Sequence, residues 1–262
     1  MRHAVLFSSY IPQHSLELGK KYVELLKTFF SRDTVFVGVN RDSCGAWEDL
    51  LKQENFHYRK VEEKFHIDSD VSGFMECLKM VRDSHERFDL FWLFHTKGAS
   101  YDDLAKAMKF YDYYRQNFFA RRKDIEEIMT TYPNIGLAAN YLIMNAAMKT
   151  NDNSMRMKIF YPFKYKPVGY FVFGTFYAMR GTVVHEFLDN CEESFFTKNL
   201  VTELGFDRYF FEVNFCVISN MMGYDAAALD YKEGPQHEFL MRKCAEWRKD
   251  PVNYEPENFP WW

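Results

Sequence analysis

Residues 88–100 read FDLFWLFHTKGAS, an aromatic apolar run that ends abruptly in a polar cluster. The run is too short to span a membrane and fits a strand that is buried on both faces of a sheet. Gly98 would let the backbone turn sharply directly after the strand. Ligands of open α/β sheets bind just beyond the carboxyl ends of the central strands, so we predict that His95, Thr96 and Lys97 form the floor of the functional site. The alternative is that these polar residues have no function and simply follow a buried strand where the chain returns to the surface.

Apolar runs and amphipathic stripes alternate through the residues that precede this stretch. Strands are predicted at residues 3–7, 34–39 and 57–61, and helices at 15–30 and 46–53. This β-α-β-α-β order predicts a parallel sheet covered by helices, of the kind that binds nucleotides. The first two strands end in polar residues, which lie where ligands bind to such sheets: Ser8 and Ser9, then Asn40, Arg41 and Asp42.

The segment DSDVSGF, at residues 68–74, precedes a helix that is predicted over residues 71–84. Asp70 has two interpretations. Its side chain can cap the helix by accepting hydrogen bonds from the free amides of the first turn. It can instead contact a ligand, because helix starts present donors and this loop would face the carboxyl edge of the sheet.

Beyond the central strand, Asp102 and Asp103 are predicted to cap a long helix that reaches about residue 119. The basic run 121–123 opens another helix and is interpreted as solvated, and a strand is predicted at residues 135–139. Residues 170–180, YFVFGTFYAMR, are predicted as a single aromatic strand broken by Gly174, and a mid-strand glycine often marks the close approach of a backbone or a ligand.

A second polar group comes late in the chain. Glu203 and Asp207 precede a helix with apolar residues at helical spacing, and Glu212 lies within that helix. A carboxylate there is either a surface residue between apolar stripes or a partly buried acid with an altered proton affinity.

Composition excludes several classes of function. The chain has 262 residues and a formal net charge of −4, which argues against a dedicated nucleic-acid binder. The five cysteines show no zinc-type spacing, and the start of the chain carries no secretory signal. We therefore expect reduced thiols, no transmembrane segment and a cytoplasmic location. No dinucleotide fingerprint, phosphate loop, zincin motif or nucleophile elbow occurs.

Four segments, taken in order along the chain, resemble the rhamnan-synthesis F type of glycosyltransferase. FHTKG at residues 94–98 resembles the family's His-Thr-Lys signature, and DSDVSGF resembles its Gly-x-Asp element, with Asp70 in the acidic place. FGTFYAMRG at residues 173–181 is similar to the family's Gly-x-x-Phe-x-x-Arg segment, and FFEVNF at residues 210–215 resembles its late Glu-containing helix, with Val213 where an Arg is usual. The chain also resembles small glycosyltransferases of large algal viruses, for which the location would be the host cytoplasm.

The resemblance implies one GT-A-like nucleotide-sugar domain over residues 1–262, with a mostly parallel central sheet flanked by helices. Residues 1–140 would bind the nucleotide sugar, residues 141–250 the acceptor, and residues 251–262 would form a tail. The implied activity moves a sugar, with a deoxyhexose or pentose favoured, from a UDP- or GDP-sugar to a hydroxyl of a growing glycan. Inversion is favoured over retention, and the oligomeric state is not defined by the sequence.

Many GT-A enzymes hold a divalent metal through an Asp-x-Asp element at a central strand end, where this chain has His95-Thr96-Lys97. A departing diphosphate needs a metal or fixed cations to neutralise its charge, and Lys97, helped by His95, could supply that charge. Metal-independent catalysis is therefore favoured. The alternative is a Mn²⁺ or Mg²⁺ site at Asp68 and Asp70.

For the base that takes the acceptor's proton, Glu212 is the first choice, with Asp207 and Glu203 behind it. Arg180 is expected to meet the diphosphate or the acceptor. The polar residues after the first two strands would contact the nucleobase and ribose. A non-catalytic nucleotide-sugar-binding protein and an interaction protein are the alternatives from other functional classes.

Overall fold

The computed structural model of the chain describes residues 1–140, 142–144, 170–172, 175–206 and 210–229. Predictions for Gly174 and Asp207 fall outside these residues. The strands are β1 (His3–Ser9), β2 (Thr34–Val39), β3 (His57–Lys60), β4 (Leu90–His95), β5 (Ile135–Ala139), β6 (Leu142–Met144), β7 (Tyr170–Val172), β8 (Tyr177–Arg180) and β9 (Asp225–Ala228). The α-helices are α1 (Leu16–Phe29), α2 (Gly45–Gln53), α3 (Phe65–Asp68), α4 (Val71–Ser84), α5 (Leu104–Asn117), α6 (Arg122–Thr131), α7 (Gly181–Asn190), α8 (Glu193–Thr197) and α9 (Phe210–Met221).

Seven strands form the main sheet, in the order β3-β2-β1-β4-β8-β5-β9. The strands β1, β2, β3 and β4 are parallel to one another, and β5 is parallel to β9. Strand β8 runs antiparallel to both of its neighbours, β4 and β5. The predicted α/β fold with a mostly parallel sheet flanked by helices is therefore confirmed.

Two hydrophobic cores cover the two faces of this sheet. Helices α4, α7, α8 and α9 pack on one face, and α1, α2, α5 and α6 pack on the other. The side chains of β4 alternate between the two cores, with Phe91 and Leu93 in one and Trp92 and Phe94 in the other, all fully buried. Burial on both faces explains why this stretch is continuously apolar.

The prediction of one strand over residues 170–180 is wrong. Strand β7 pairs with β6 in a separate two-stranded sheet, whereas β8 inserts between β4 and β5. Alternation of apolar residues is the same for the two pieces, so periodicity alone could not separate them.

The basic run 121–123 is not simply solvated. Arg122 donates hydrogen bonds to the Asp33 carboxylate at 2.5 Å, to Glu126 at 2.6 Å and to His3 Nδ1 at 2.7 Å. Its guanidinium lies over the rings of Phe30 and Trp92. Arg122 therefore ties the start of α6 to His3 in β1, and the Asp33 and Glu126 carboxylates neutralise its charge.

No helix in the described part of the chain is long and apolar enough to cross a membrane.

Candidate active site

The carboxyl ends of β1, β2, β4 and β5 meet at one edge of the main sheet, and the amino end of β8 lies there too. His95 lies beside Ser8 in the register of β4 and β1, and Tyr177 pairs with both Leu93 and Ala139. We call this the carboxyl edge. Because β8 and β5 come from later in the sequence than β4, the edge gathers polar side chains from distant parts of the chain.

Thr96 ties the end of β4 to the end of β1. Its Oγ1 accepts a hydrogen bond from the Tyr10 amide at 2.9 Å and donates to the Tyr10 carbonyl at 3.0 Å. Its own amide donates to the Ser8 carbonyl at 3.2 Å. The buried Thr96 side chain thus fixes the backbone from which Lys97 projects.

Gly98 turns the chain with φ of +82°, as predicted. This left-handed conformation favours glycine, and a Cβ added there would make a close contact of 3.1 Å with the Ala107 Cα. At the far end of the same connection, the Asp103 carboxylate accepts from the Lys106 amide at 3.1 Å and caps α5, also as predicted. The loop between β4 and α5 is therefore fixed at both ends.

Lys97 and Glu212 come together at the carboxyl edge. Lys97 Nζ lies 3.9 Å from Glu212 Oε1, and the side chains are 20% and 14% exposed. Glu212 belongs to the first turn of α9 and is a partly buried acid rather than a surface residue. Opposite charges held in this partly dry position interact more strongly than they would on an open surface.

An aromatic wall lies beside this ion pair. Tyr114 stacks on Phe176, with ring centroids 3.6 Å apart and planes within 5°. Burial raises the pKa of Tyr114, and the neighbouring Tyr113 and the charge of Glu212 raise that pKa further. The phenol of Tyr114 therefore stays protonated at neutral pH and presents a neutral surface to the carboxylate.

Asp70 occupies the N-cap position of α4, but its side chain makes no capping hydrogen bond. The carboxylate Oδ2 instead accepts from Thr175 Oγ1 at 3.4 Å and lies 3.9 Å from His95 Nδ1. The backbone around this carboxylate is strained, with φ of +57° at Ser69 and +55° at the β-branched Thr175. Conformations of this kind cost about 1–3 kcal/mol each and cluster at functional sites.

The start of α4 lies close to the sheet because two positions at this contact, Gly73 and Gly38, are glycines. A Cβ on Gly73 would lie 2.1 Å from Ser8 Oγ, and one on Gly38 would lie 1.9 Å from the Gly73 carbonyl oxygen. Ser8 Oγ donates to the Asp70 carbonyl at 2.9 Å, which holds the helix start against β1. Ser8 therefore fixes the backbone that carries the Asp70 carboxylate.

The other polar residues at the ends of β1 and β2 build a tight corner. Ser9 Oγ donates to the Gly38 carbonyl at 3.2 Å and accepts from Trp47 Nε1 at 3.0 Å. Asn40 Oδ1 accepts from the Asp42 amide at 3.0 Å, and Asp42 Oδ2 accepts from the Phe65 amide at 3.2 Å.

Arg41 is more open than these residues, with its guanidinium 3.8 Å from the Asp42 carboxylate. The predicted contacts of Ser8, Ser9, Asn40 and Arg41 with a nucleotide stay predictions.

Arg180 does not lie at the carboxyl edge. It pairs with Leu90, at the opposite end of β4, about 16 Å from His95 along the strand. Its guanidinium donates to the carbonyls of Ile135, Met129 and Tyr132 at 2.7–3.0 Å. The antiparallel direction of β8 thus places Arg180 away from Lys97, and its predicted contact with the diphosphate or the acceptor stays a prediction.

The rival bases are placed differently from Glu212. Glu203 is exposed, and its Oε2 accepts from the Asn199 amide at 2.7 Å within a local turn. Asp207 lies outside the described residues. Among the described candidates, Glu212 is the one that the structure brings to Lys97.

The geometry can be set against known proteins. No protein-family model matches the chain, and no curated protein matches it. Two solved structures are similar at low identity. A mannosyltransferase from Pyrobaculum calidifontis, in complex with GDP-Man and Mn²⁺, is 11% identical with a TM-score of 0.39, covering 98% of this chain and 66% of that one. Mannosyl-3-phosphoglycerate synthase from Rubrobacter xylanophilus is 10% identical with a TM-score of 0.36, covering 100% and 78%.

The chain thus spans about two thirds of the length of the Pyrobaculum mannosyltransferase. Likeness at this level carries no argument about activity.

A divalent metal held at the carboxyl edge is the alternative to Lys97. In the described part of the chain, no group of three or more His, Cys, Asp or Glu side chains is placed to hold a metal ion. Asp70 has His95 and Thr175 beside its carboxylate, and the side chain of Asp68 is outside what the structure describes. The alternative metal site at Asp68 and Asp70 therefore stays a prediction.

Sequence reasoning missed several residues of the edge. Thr175 and Phe176 lie at the amino end of β8, which was not recognised as a separate strand. Asn140 directly follows β5 and is buried. The rule that selected the polar residue after β2 would have selected Asn140 as well. Tyr10, which stacks on Phe65 with ring centroids 4.1 Å apart, follows β1 directly.

Proposed function

We propose that the chain is a GT-A-like glycosyltransferase that moves a sugar from a UDP- or GDP-sugar to a hydroxyl of a growing glycan. The observation that carries this proposal is the 3.9 Å approach of Lys97 to Glu212 at the carboxyl edge. Group transfer from a nucleoside diphosphate needs a cation for the leaving group and a base for the acceptor, and the two residues supply one of each.

In the proposed reaction, the acceptor oxygen attacks the anomeric carbon of the donor sugar. The bond between that carbon and the phosphate oxygen breaks, and its electron pair leaves with the diphosphate. Lys97 stabilises the charge that develops on the diphosphate, and Glu212 takes the proton of the acceptor hydroxyl. Inversion is the outcome we favour: the acceptor oxygen attacks from the face opposite the diphosphate, so the sugar lies between Glu212 and Lys97, and the two side chains move apart from their 3.9 Å contact when the donor binds.

The donor would lie across the ends of β1, β2 and β4. The corner built by Asn40, Arg41 and Asp42 is suited to the nucleoside, because it offers polar groups beside the Tyr10–Phe65 stack. The diphosphate would then meet Lys97, where it would compete with Glu212 for the ammonium group. The donor sugar would lie toward Asp70 and His95, whose polar atoms can bind its hydroxyls.

A deoxyhexose or a pentose is proposed as the transferred sugar on the resemblance to the rhamnan-synthesis F family alone. Because the cation is a lysine, the proposed reaction does not need a metal ion.

A thermal-shift and hydrolysis screen tests the proposal. Purified protein is mixed with UDP, GDP and their sugars, and both the melting temperature and the release of free sugar are followed. A nucleotide present at a hundred times its dissociation constant stabilises the folded state by about 2.7 kcal/mol, which gives a measurable shift. We expect binding, slow donor hydrolysis, and persistence of both in EDTA.

Three results would contradict parts of the proposal. Binding without hydrolysis or transfer would indicate a nucleotide-sugar-binding protein. The absence of any shift across the screen would favour an interaction protein. Loss of activity in EDTA that Mn²⁺ restores would indicate that a metal ion, and not Lys97, supplies the positive charge.

A further inference from the structure

Three large hydrophobic side chains are exposed among the described residues: Met1, Tyr113 and Tyr132. Met1 starts the chain. Tyr132 is 54% exposed and precedes β5, so it lies at the edge of the sheet opposite to Lys97. Tyr113, which is 44% exposed, lies at the carboxyl edge, because its hydroxyl bonds the side chain that follows β5.

The ring of Tyr113 is held in place although it is exposed. Asn140 Nδ2 donates to Tyr113 Oη at 3.0 Å, and Asn140 itself is only 1% exposed. The ring also packs edge-on against Tyr114, with centroids 5.2 Å apart and planes at 81°. A buried amide and an aromatic neighbour therefore hold the partly exposed ring in place, which reduces the entropy lost when a ligand packs on it.

A series of ring contacts links Tyr113 to the end of β4. Tyr113 packs on Tyr114, Tyr114 stacks on Phe176 with ring centroids 3.6 Å apart, and the Phe176 ring lies 5.7 Å from the His95 ring. A sugar ring on Tyr113 would therefore lie at the same edge of the sheet as Lys97 and Glu212. The donor's proposed place is on the other side of the ion pair, over β1 and β2.

We propose that Tyr113 is the platform for a sugar ring of the acceptor, an inference that rests on the proposed glycosyl transfer. Sugar rings have apolar C–H faces and polar rims, and aromatic side chains with a polar tip bind such amphipathic surfaces well. The acceptor ring stacks on Tyr113, and its reactive hydroxyl points to the carboxylate of Glu212.

Saturation-transfer NMR with simple glycosides tests the platform without knowledge of the natural acceptor. The probes are the methyl glycosides of glucose, galactose, mannose, rhamnose and xylose, each titrated into the full chain with and without UDP or GDP. We expect saturation to pass from aromatic protons to the C–H face of at least one glycoside. Tyr113→Ala should weaken that affinity roughly three- to tenfold, the range for one aromatic stacking contact.

Two further variants separate stacking from other effects. Tyr113→Phe keeps the ring, loses the bond to Asn140, and should retain most of the affinity. Tyr132→Ala removes an equally exposed tyrosine at the opposite edge and should leave the affinity unchanged. Melting temperatures of all variants check that each is folded.

The proposal is overturned if the unmodified protein binds none of the glycosides, if Tyr113→Ala binds them as tightly as the unmodified protein, or if Tyr132→Ala weakens binding as much as Tyr113→Ala does. Failure of the transfer proposal gives a different pattern. Glycosides would then bind through Tyr113 while no nucleotide binds and no nucleotide sugar is hydrolysed.

Discussion

The charged side chains of Lys97 and Glu212 are largely buried, and Lys97 Nζ lies 3.9 Å from Glu212 Oε1. Removing one of them leaves a partly buried charge, which costs stability, whereas a neutral isostere of the carboxylate disturbs the packing little. Tests of function at the residue scale therefore need variants that change charge and keep shape.

Glu212→Gln should abolish transfer and leave nucleotide binding nearly intact. The amide has the shape of the carboxylate but cannot accept a proton, and loss of a general base lowers turnover by about 10²–10⁴-fold. Turnover and nucleotide affinity are measured on the same preparation. Glu203→Gln is the matched control, since that side chain is exposed in a local turn. Ordinary turnover in Glu212→Gln would make Glu212 a structural residue.

Lys97→Met should lower turnover by about 10²–10³-fold, in the range found for loss of one group that stabilises developing negative charge. It should also weaken the binding of UDP or GDP, because the diphosphate loses its cation. Isothermal titration and steady-state rates measure the two effects. Lys20→Met serves as the control, because Lys20 pairs with Glu17 on the exposed face of α1. If both lysine variants bind nucleotide equally well, the diphosphate lies elsewhere.

At the scale of elements, the site depends on a few close approaches between helices, turns and strands. Gly73 and Gly38 let α4 pack against β1 and β2, and Gly98 reverses the chain after β4. The strained backbone at Ser69 and Thr175 lies on either side of the Asp70 carboxylate. The elements therefore hold the polar groups in position before any ligand binds.

Gly98→Ala should destabilise the protein by at least about 1–2 kcal/mol, because an alanine at φ of +82° is strained and its Cβ would crowd the Ala107 backbone. Urea unfolding measures the loss, and nucleotide affinity should fall with it because Lys97 is displaced. Gly45→Ala is the control: an added Cβ there contacts nothing within 4 Å, and the position starts a helix. Equal urea midpoints for Gly98→Ala and Gly45→Ala would show that the turn after β4 does not need glycine at position 98.

At the scale of the whole molecule, two buried histidines make stability depend on pH. Burial lowers the pKa of His185 from 6.5, and the charge of Arg87 lowers that pKa further. The Phe88 amide donates to His185 Nε2 at 2.9 Å, a bond that a protonated ring could not accept. Burial also lowers the pKa of His3, which lies beside Arg122 at the start of β1.

Because the pKa values of His185 and His3 are lowered, the folded protein is less stable at acid pH. Below pH 6.5 the unfolded chain protonates His3 and His185 while the folded protein keeps these two neutral, so stability falls as the pH drops toward their lowered folded pKa values. Each such histidine contributes at most about 1.4 kcal/mol per pH unit. We expect the free energy of unfolding to fall between pH 7.5 and 5.5.

His185→Gln tests the contribution of this residue, because the glutamine oxygen can still accept from Phe88. The variant should lose less stability than the unmodified protein over the same pH range. The free energy of unfolding of both proteins is measured with urea at each pH. If it changes equally with pH in the two proteins, His185 does not contribute to the pH dependence of stability.

The local pattern of apolar and polar residues was sufficient to predict much of the fold. Strands β2 and β5 and helix α4 have the bounds that periodicity predicts, because each shows one clear period between strong end signals. The buried strand β4, the turn at Gly98 and the cap at Asp103 were likewise predictable, because each depends on residues close together in sequence. The short elements α3, α8 and β9 were not predicted, since a few residues carry too little periodic signal.

The sequence by itself determined that a hidden aromatic strand would present His95, Thr96 and Lys97 at the edge of a mostly parallel sheet. Only the tertiary structure decided which distant groups would join them. The direction of β8 sent Arg180 to the far edge and brought Thr175 to Asp70, and the packing of α9 brought Glu212 to Lys97. The reason is physical: strand periodicity is the same for either direction, and contacts across the sheet depend on how the layers pack rather than on local preference.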